Sequence, residues 1–265
     1  MNRTDTNDIK ILVAAHKSCW MPKEEIYIPL HVGAAGKEPL IFQNERKGLR
    51  DDTGDNISAK NPNYCELTGL YWAWKNLNCD YIGLCHYRRY FSHHFHPIDP
   101  EKRKNAILHR IDYEKLLAKY DIILPKPMHC HGTTIEKHYK QEHNIKDLEE
   151  TSRIISEKYP NYSNAFSAVM NRNYFYGMNM FVMKKTQFDR YCTWLFDILF
   201  TLESRIDISS YDTYQARVFG FLAERLFNVW LEKENLSTCD VSVINLEKKK
   251  PKFITTINKL FFKTF

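Results

Sequence analysis

No stretch of this sequence approaches the roughly 20 consecutive apolar residues that a membrane-spanning helix requires. The apolar run nearest the N-terminus, Ile11 to Ala15, follows the polar Met1 to Lys10 and is too short for a secretory signal, so a cytoplasmic chain is expected. No CxxC pair occurs among the seven cysteines. Cys19, Cys65, Cys79, Cys85, Cys130, Cys192 and Cys239 are odd in number and scattered, which reads as reduced thiols rather than a disulfide framework or a zinc ribbon. All eleven histidines lie before residue 144, yet there is no HExxH motif and no Cys/His zinc spacing. There is no internal repeat. The net charge of +6 is smaller and more dispersed than a nucleic-acid binder would carry, so nucleic acid is not an expected partner.

What is present is enough for a sizeable core. The 265 residues are 43% hydrophobic and 14% aromatic, which fits one large α/β domain. Ile9 to Ala15 (IKILVAA) reads as a buried first strand, with His16, Lys17 and Ser18 at its C-terminal end. Tyr27 to Ala35 reads as loop or edge strand. Arg50 to Asn61 is a polar, turn-rich loop. Asn63 is expected to cap a helix from Tyr64 to Leu77, and Tyr81 to Cys85 (YIGLC) is a second buried strand. Further expectations are a helix over Tyr113 to Tyr120, a strand over Asp121 to Leu124, a helix over Asp147 to Tyr159 and a strand pair within Tyr174 to Met183. Two long helices follow, Gln187 to Glu203 and Asp212 to Glu232. Alternating strands and helices predict a Rossmann-like mixed sheet flanked by helices, with a helical C-terminal portion. One domain over residues 1–246 is expected, then a tail over 247–265.

The most informative segment is Glu66 to Phe91: helix, tight turn, buried strand, then His86, Arg88 and Arg89 at the strand's C-terminal end. Ligands of open α/β sheets bind at that edge. Nucleotide-sugar transferases of the GT-A kind place an Asp-x-Asp there, which holds a cation against the donor pyrophosphate. This sequence has no Asp-x-Asp anywhere. Guanidinium groups can stabilise a departing diphosphate instead. Asp51, Asp52 and Asn56 are candidates for bonding ribose or sugar hydroxyls, because the loop lacks the ligand spacing of a calcium site. Asp212 and Glu224 are candidates for the base that takes a proton from an acceptor hydroxyl, and Asp212 also suits a helix N-terminus.

Four blocks resemble a known family: NISAKNPNYCELTGLYWAWKN (Asn56 to Asn76), DYIGLCHYRRYF (Asp80 to Phe91), DIILPKP (Asp121 to Pro127) and RVFGFLAERLFNVWL (Arg217 to Leu231). The chain resembles, from about Lys10 to Leu231, bacterial glycosyltransferases long catalogued as a domain of unknown function, whose members accompany capsule, exopolysaccharide and lipopolysaccharide genes. The resemblance implies a GT-A-like fold and a UDP-sugar donor as co-substrate. Galactofuranose is among the sugars relatives transfer.

The roles expected are then these. Asp212, Glu224 and His86 are catalytic. Ala15, His16, Lys17, Asp51, Asp52, Asn56, Lys60, Arg88 and Arg89 bind the donor. Tyr139, His143 and Asn179 bind an oligosaccharide or lipid-linked acceptor. No metal ligand and no further cofactor is expected. Lys248, Lys249, Lys250 and Lys252, followed by Ile254, Ile257, Phe261 and Phe265, predict a basic amphipathic tail able to lie on an anionic inner membrane face. The rival readings are a metal-dependent hydrolase built on the histidines and a nucleic-acid-binding module.

Overall fold

A computed structural model describes residues 7–43, 47–93 and 99–247. His94, His96 and the basic tail lie outside the described residues. β1 (Ile9–Ala15) and β4 (Tyr81–His86) are adjacent and parallel, and both are nearly continuous apolar runs, as strands covered on both faces must be. β2 (Tyr27–His31) lies parallel on the other side of β1 and is capped at the sheet edge by the two-residue β3 (Leu49–Arg50).

Beyond β4 the sheet turns mixed. β5 (Arg89–Ser92) meets β4 antiparallel at the His86–Arg89 pair. β6 (Ile122–Pro125), β9 (Phe181–Lys184) and β10 (Thr238–Asn245) complete eight strands in the order β3-β2-β1-β4-β5-β10-β6-β9. β9 also pairs antiparallel with the first half of β4, so β4, β5, β10, β6 and β9 close into a ring. Gly83 sits where β4 is squeezed between neighbours. A Cβ there would come within 2.8 Å of both Ile11 and Val182 side chains. A two-stranded antiparallel ribbon of β7 (Met128–His129) and β8 (Tyr174–Phe175), distant in sequence, stands apart from the main sheet.

The period-two alternation of the strands splits the core in two. Leu12, Ala14 and Leu84 face a layer of helices that includes α2 (Leu67–Asn76), α8 (Lys185–Glu203) and α9 (Val218–Glu234). Ile11, Val13 and Cys85 face the other side with Tyr27, Phe91 and Tyr113, the last from α4 (Arg110–Leu117). The mixed sheet flanked by helices matches the sequence expectation. α5 (Ile135–Glu142), α6 (Ile145–Lys158) and α7 (Ser163–Met170) build the wall beside α9, and α3 (Pro100–Lys104) is a surface turn.

Three local expectations are corrected. The helix expected over Tyr64 to Leu77 is two: α1 (Asn61–Tyr64) ends at Cys65, whose φ of 53° is left-handed, and α2 begins at Leu67. The helix expected from Asp212 begins at Val218, after a 3-10 turn over Gln215–Arg217. The strand pair within Tyr174 to Met183 does not pair with itself, because β8 joins β7 and β9 joins the main sheet. Among the described residues no helix is long and apolar enough to cross a membrane.

Candidate active site

The C-terminal ends of β1 and β4 open into a cleft of about 710 Å³. Its first wall is basic, carrying His16, Arg88 and Arg89. Arg88 is partly exposed, with 40% of its side chain accessible, and lies 3.7 Å from Glu247, which also accepts from Lys17 Nζ at 3.2 Å. Both cations lie against the Tyr87 ring, at 4.9 Å for Lys17 and 5.6 Å for Arg88. Arg89, also part-buried, differs in making no ion pair or side-chain hydrogen bond among the described residues. Burial and the neighbouring Arg88 charge pull its pKa down, while Glu66 and Glu224 oppose the shift. A guanidinium keeps its proton under such perturbation. The His16 imidazole is pulled below its ordinary value by burial and by the charges of Lys17 and Arg88, so it is neutral at neutral pH.

The floor is a pair of carboxylates, Glu66 and Glu224. α9 and its N-cap residue Arg217 bring Arg217, Phe221 and Glu224 to one face by their spacing of four and three residues. Glu224 Oε2 accepts from Arg225 Nη1 at 3.0 Å, and Oε1 accepts from the backbone N–H of Met178 at 2.7 Å. Met178 and Asn179 both have left-handed backbones, with φ of 70° and 49°. Two successive non-glycine residues there carry a strain of about 1–3 kcal/mol each, which the surroundings must impose.

The surroundings are visible. Asn228, one turn beyond Glu224 on α9, grips the Tyr176 backbone from both sides, donating to its carbonyl at 2.9 Å and accepting from its N–H at 2.8 Å. The Met178 carbonyl accepts from His86 Nε2 at 2.6 Å, and Asn179 Nδ2 donates to Glu66 Oε1 at 2.8 Å. One strained turn therefore fixes His86, Glu224 and Glu66 together. Because a carbonyl only accepts, the contact requires the proton of His86 on Nε2. Burial chiefly, with the Glu66 charge behind it, raises the Glu224 carboxyl above the usual glutamate value, and Arg225 opposes the shift.

The cleft continues into a second lobe of about 410 Å³, which shares the two carboxylates, Cys65, Arg217, Met128, Tyr214 and Phe221 with the first and adds His138, Glu142 and His143. Its wall is aromatic. The His143 ring stacks on Phe221 at 4.1 Å between centroids, and Tyr214 lies 5.1 Å from Phe221. Burial and the charge of Arg225 drive His143 down to about 4, so this wall is uncharged at neutral pH. Arg217 Nε donates to Cys65 Sγ at 3.2 Å beneath the same rings.

Of the residues expected from sequence, His16, His86, Arg88, Arg89, Glu224 and His143 line this cleft. Lys17 stands at its rim through Glu247. Ala15 is buried, and its neighbour Ala14 takes the lining position. The others are spent on the fold. Asp51 is fully buried and accepts from the N–H groups of Gly33 and Ala34 at 2.8 and 2.9 Å and from the hydroxyls of Ser58 and Thr68. Asp52 pairs with Arg50 at 2.6 Å, which holds its carboxyl below the ordinary value. Asn56 closes its own turn by bonding the Gly54 carbonyl and the Ser58 N–H. Lys60 pairs with Glu203 at 2.6 Å. Asp212 is exposed and caps the N–H groups of Tyr214 and Gln215 at 2.9 and 2.7 Å. Tyr139 is fully buried under Arg225, out of reach of an acceptor. Asn179 is buried too, and acts on Glu66.

The Asp51 cluster carries a direct test. Asp51→Ala strands two buried backbone N–H groups, each costing about 1–3 kcal/mol. A loss of about 3 kcal/mol in urea unfolding is expected; a change below about 0.5 kcal/mol, the size of an ordinary surface substitution, would contradict this scaffold role.

Glu66, Cys65, Tyr214, Arg217 and Phe221 line the site without having been singled out. Glu66 offered a signal in hindsight: it is an acid just ahead of an apolar helix, inside a block quoted for its resemblance. Among the described residues no three His, Cys, Asp or Glu side chains converge to hold a metal ion, so the hydrolase reading has no centre within them.

The family described as a domain of unknown function (DUF4422) matches residues 10–235. No match was found among curated proteins. Among solved structures, that of the WbbM bifunctional glycosyltransferase in its apo form aligns with a TM-score of 0.82 at 34% sequence identity. The alignment covers 91% of this chain and 46% of that one, so the chain spans less than half of that protein's length.

Proposed function

The chain belongs to the DUF4422 family, and from that premise we propose that it is a glycosyltransferase that uses a UDP-sugar to extend a bacterial surface polysaccharide. One observation carries the reading. At the C-terminal edge of parallel strands, a basic wall faces an ionisable carboxylate across a cleft that opens further into an aromatic lobe. The likeness to a bifunctional glycosyltransferase supports it.

In this reading the diphosphate of the donor lies against Arg88, Arg89 and Lys17, with the sugar over the carboxylate floor. The acceptor hydroxyl oxygen attacks the anomeric carbon. The bond from that carbon to the diphosphate oxygen breaks, and its electron pair leaves with UDP. Glu224 takes the hydroxyl proton as the new bond forms. The guanidinium groups stabilise the charge that grows on the leaving diphosphate. His86 and the left-handed turn at Met178 hold the carboxylate in place. The sugar is a hexose, galactofuranose among the candidates, and the acceptor is an oligosaccharide or a lipid-linked chain. The basic tail, outside the described residues, would bring the site to the inner membrane face.

The Arg88–Arg89 pair stands where a metal-binding Asp-x-Asp would otherwise end the strand, so donor binding is expected to survive a chelator. Titration calorimetry of UDP and UDP-sugars, with and without EDTA, tests both points. Unchanged affinity in EDTA is the expected result. Binding that vanishes in EDTA and returns with manganese would overturn the metal-free donor site, and no binding under either condition would overturn the transferase reading.

A further inference from the structure

We propose that the second lobe is the acceptor subsite, taking the terminal ring of a neutral glycan against the aromatic wall of Tyr214 and Phe221. This rests on the transferase reading above. The first argument is position. The lobe shares Glu66 and Glu224 with the basic wall, so a ring seated there presents a hydroxyl to the carboxylate that faces the donor.

The second argument is shape and polarity. His143, Phe221 and Tyr214 form a layered aromatic wall, with interplanar angles to the imidazole of 22° and 24°. Tyr214 is 50% exposed and Met128, also lining the lobe, is 47% exposed. Large apolar side chains left open at a cavity mouth are suited to the C–H face of a sugar, which needs a flat apolar surface and polar groups at its edge. Edge groups are supplied by His138 and Glu142.

The third argument is charge. Glu66, Glu142 and Glu224 face Arg217 and Arg225, and His143 is neutral, so the lobe has no excess positive charge to hold a diphosphate. Arg225 is already committed to Glu224 and Arg217 to Cys65. The nucleotide is thereby sent to the basic wall and the uncharged ring to the aromatic one.

Saturation-transfer NMR tests this with methyl galactopyranosides and methyl β-galactofuranoside as probes, on the full chain in the presence of UDP. Saturation of ring C–H protons is expected for at least one glycoside, and its affinity should fall about threefold to tenfold in Phe221→Ala. Tyr214→Ala, at a half-exposed position that the fold tolerates, should weaken the same probe. UDP affinity is measured alongside by calorimetry. If UDP binds but no glycoside is saturated, or if both variants bind the glycoside as well as the parent, the acceptor lobe is wrong while the donor reading stands. If a glycoside binds in a Phe221-dependent way and UDP does not bind, the lobe is supported and the donor reading fails.

Discussion

Glu224→Gln is expected to yield a folded protein whose turnover has dropped by about 10²–10⁴-fold, the range lost when a positioned general base is removed. The amide keeps the shape, and its oxygen can still accept from the Met178 N–H, although its NH2 then stands where Oε2 accepted from Arg225. What it cannot do is take a proton. The stability difference from the parent should depend on pH, and the sign follows from the shift. Burial raises the folded-state pKa of Glu224 above its unfolded value. Such a group adds stability below the unfolded pKa and loses that contribution as pH rises through the folded one. Where it is ionised, the part-buried Glu224 is therefore a cost to the fold that an uncharged amide removes, while the amide also takes from Arg225 its carboxylate partner. The melting temperature of Glu224→Gln relative to the parent should therefore be less favourable in acid than at neutral pH and above. The parent's rate should fall on the acid side with a midpoint above the ordinary glutamate value. Full turnover in the variant would sink the assignment. A melting-point difference that is the same in acid and at neutral pH would contradict the raised carboxyl.

The parts of the fold that sequence revealed are those in which one local pattern suffices. β1 and β4 are nearly continuous apolar runs, short and bounded by turns, as strands covered on both faces are. α8 shows a long helical period. What sequence hid depends on distant residues. The break at Cys65 lies where α9 packs against it: a Cβ on Gly220 would lie 3.2 Å from Cys65 Sγ, so the glycine keeps that close contact free of crowding. β10 was missed because its polar alternation is satisfied only when it slots between β5 and β6.

The site divides along the same line. Arg88, Arg89 and His86 end a recognisable strand and could be read in place. Glu66 and Asn179 meet across 113 residues of sequence, and the left-handed turn that joins them has no local glycine at its two strained positions to announce it. The loop at Asp51 misled for a physical reason. Acids that bond ribose hydroxyls and acids that bond buried N–H groups have the same composition, and burial alone separates them.

Arg89→Ala is expected to lower turnover by about 10²–10³-fold, the scale of removing one preorganised group aimed at developing charge. Arg88→Ala should cost far less, though the two are sequence neighbours of one type. Arg88 is solvated and shares Glu247 with Lys17, so water and the remaining cation can replace much of its effect. Arg89 is part-buried at the start of β5, where its charge is less screened, and among the described residues no carboxylate pairs with it. Arg89→Lys should recover only part of the loss, because an ammonium cannot reproduce the two-pronged geometry of a guanidinium on a diphosphate. A second readout separates this from general damage. Arg89 and Glu224 attract each other, so removing the cation should push the Glu224 carboxyl higher still. The acid limb of the pH–rate profile in Arg89→Ala should therefore shift to higher pH, while in Arg88→Ala it stays near the parent's. Equal losses in the two alanine variants, with neither limb displaced, would mean that the basic wall acts only as a diffuse field and that Arg89 has no special place in it.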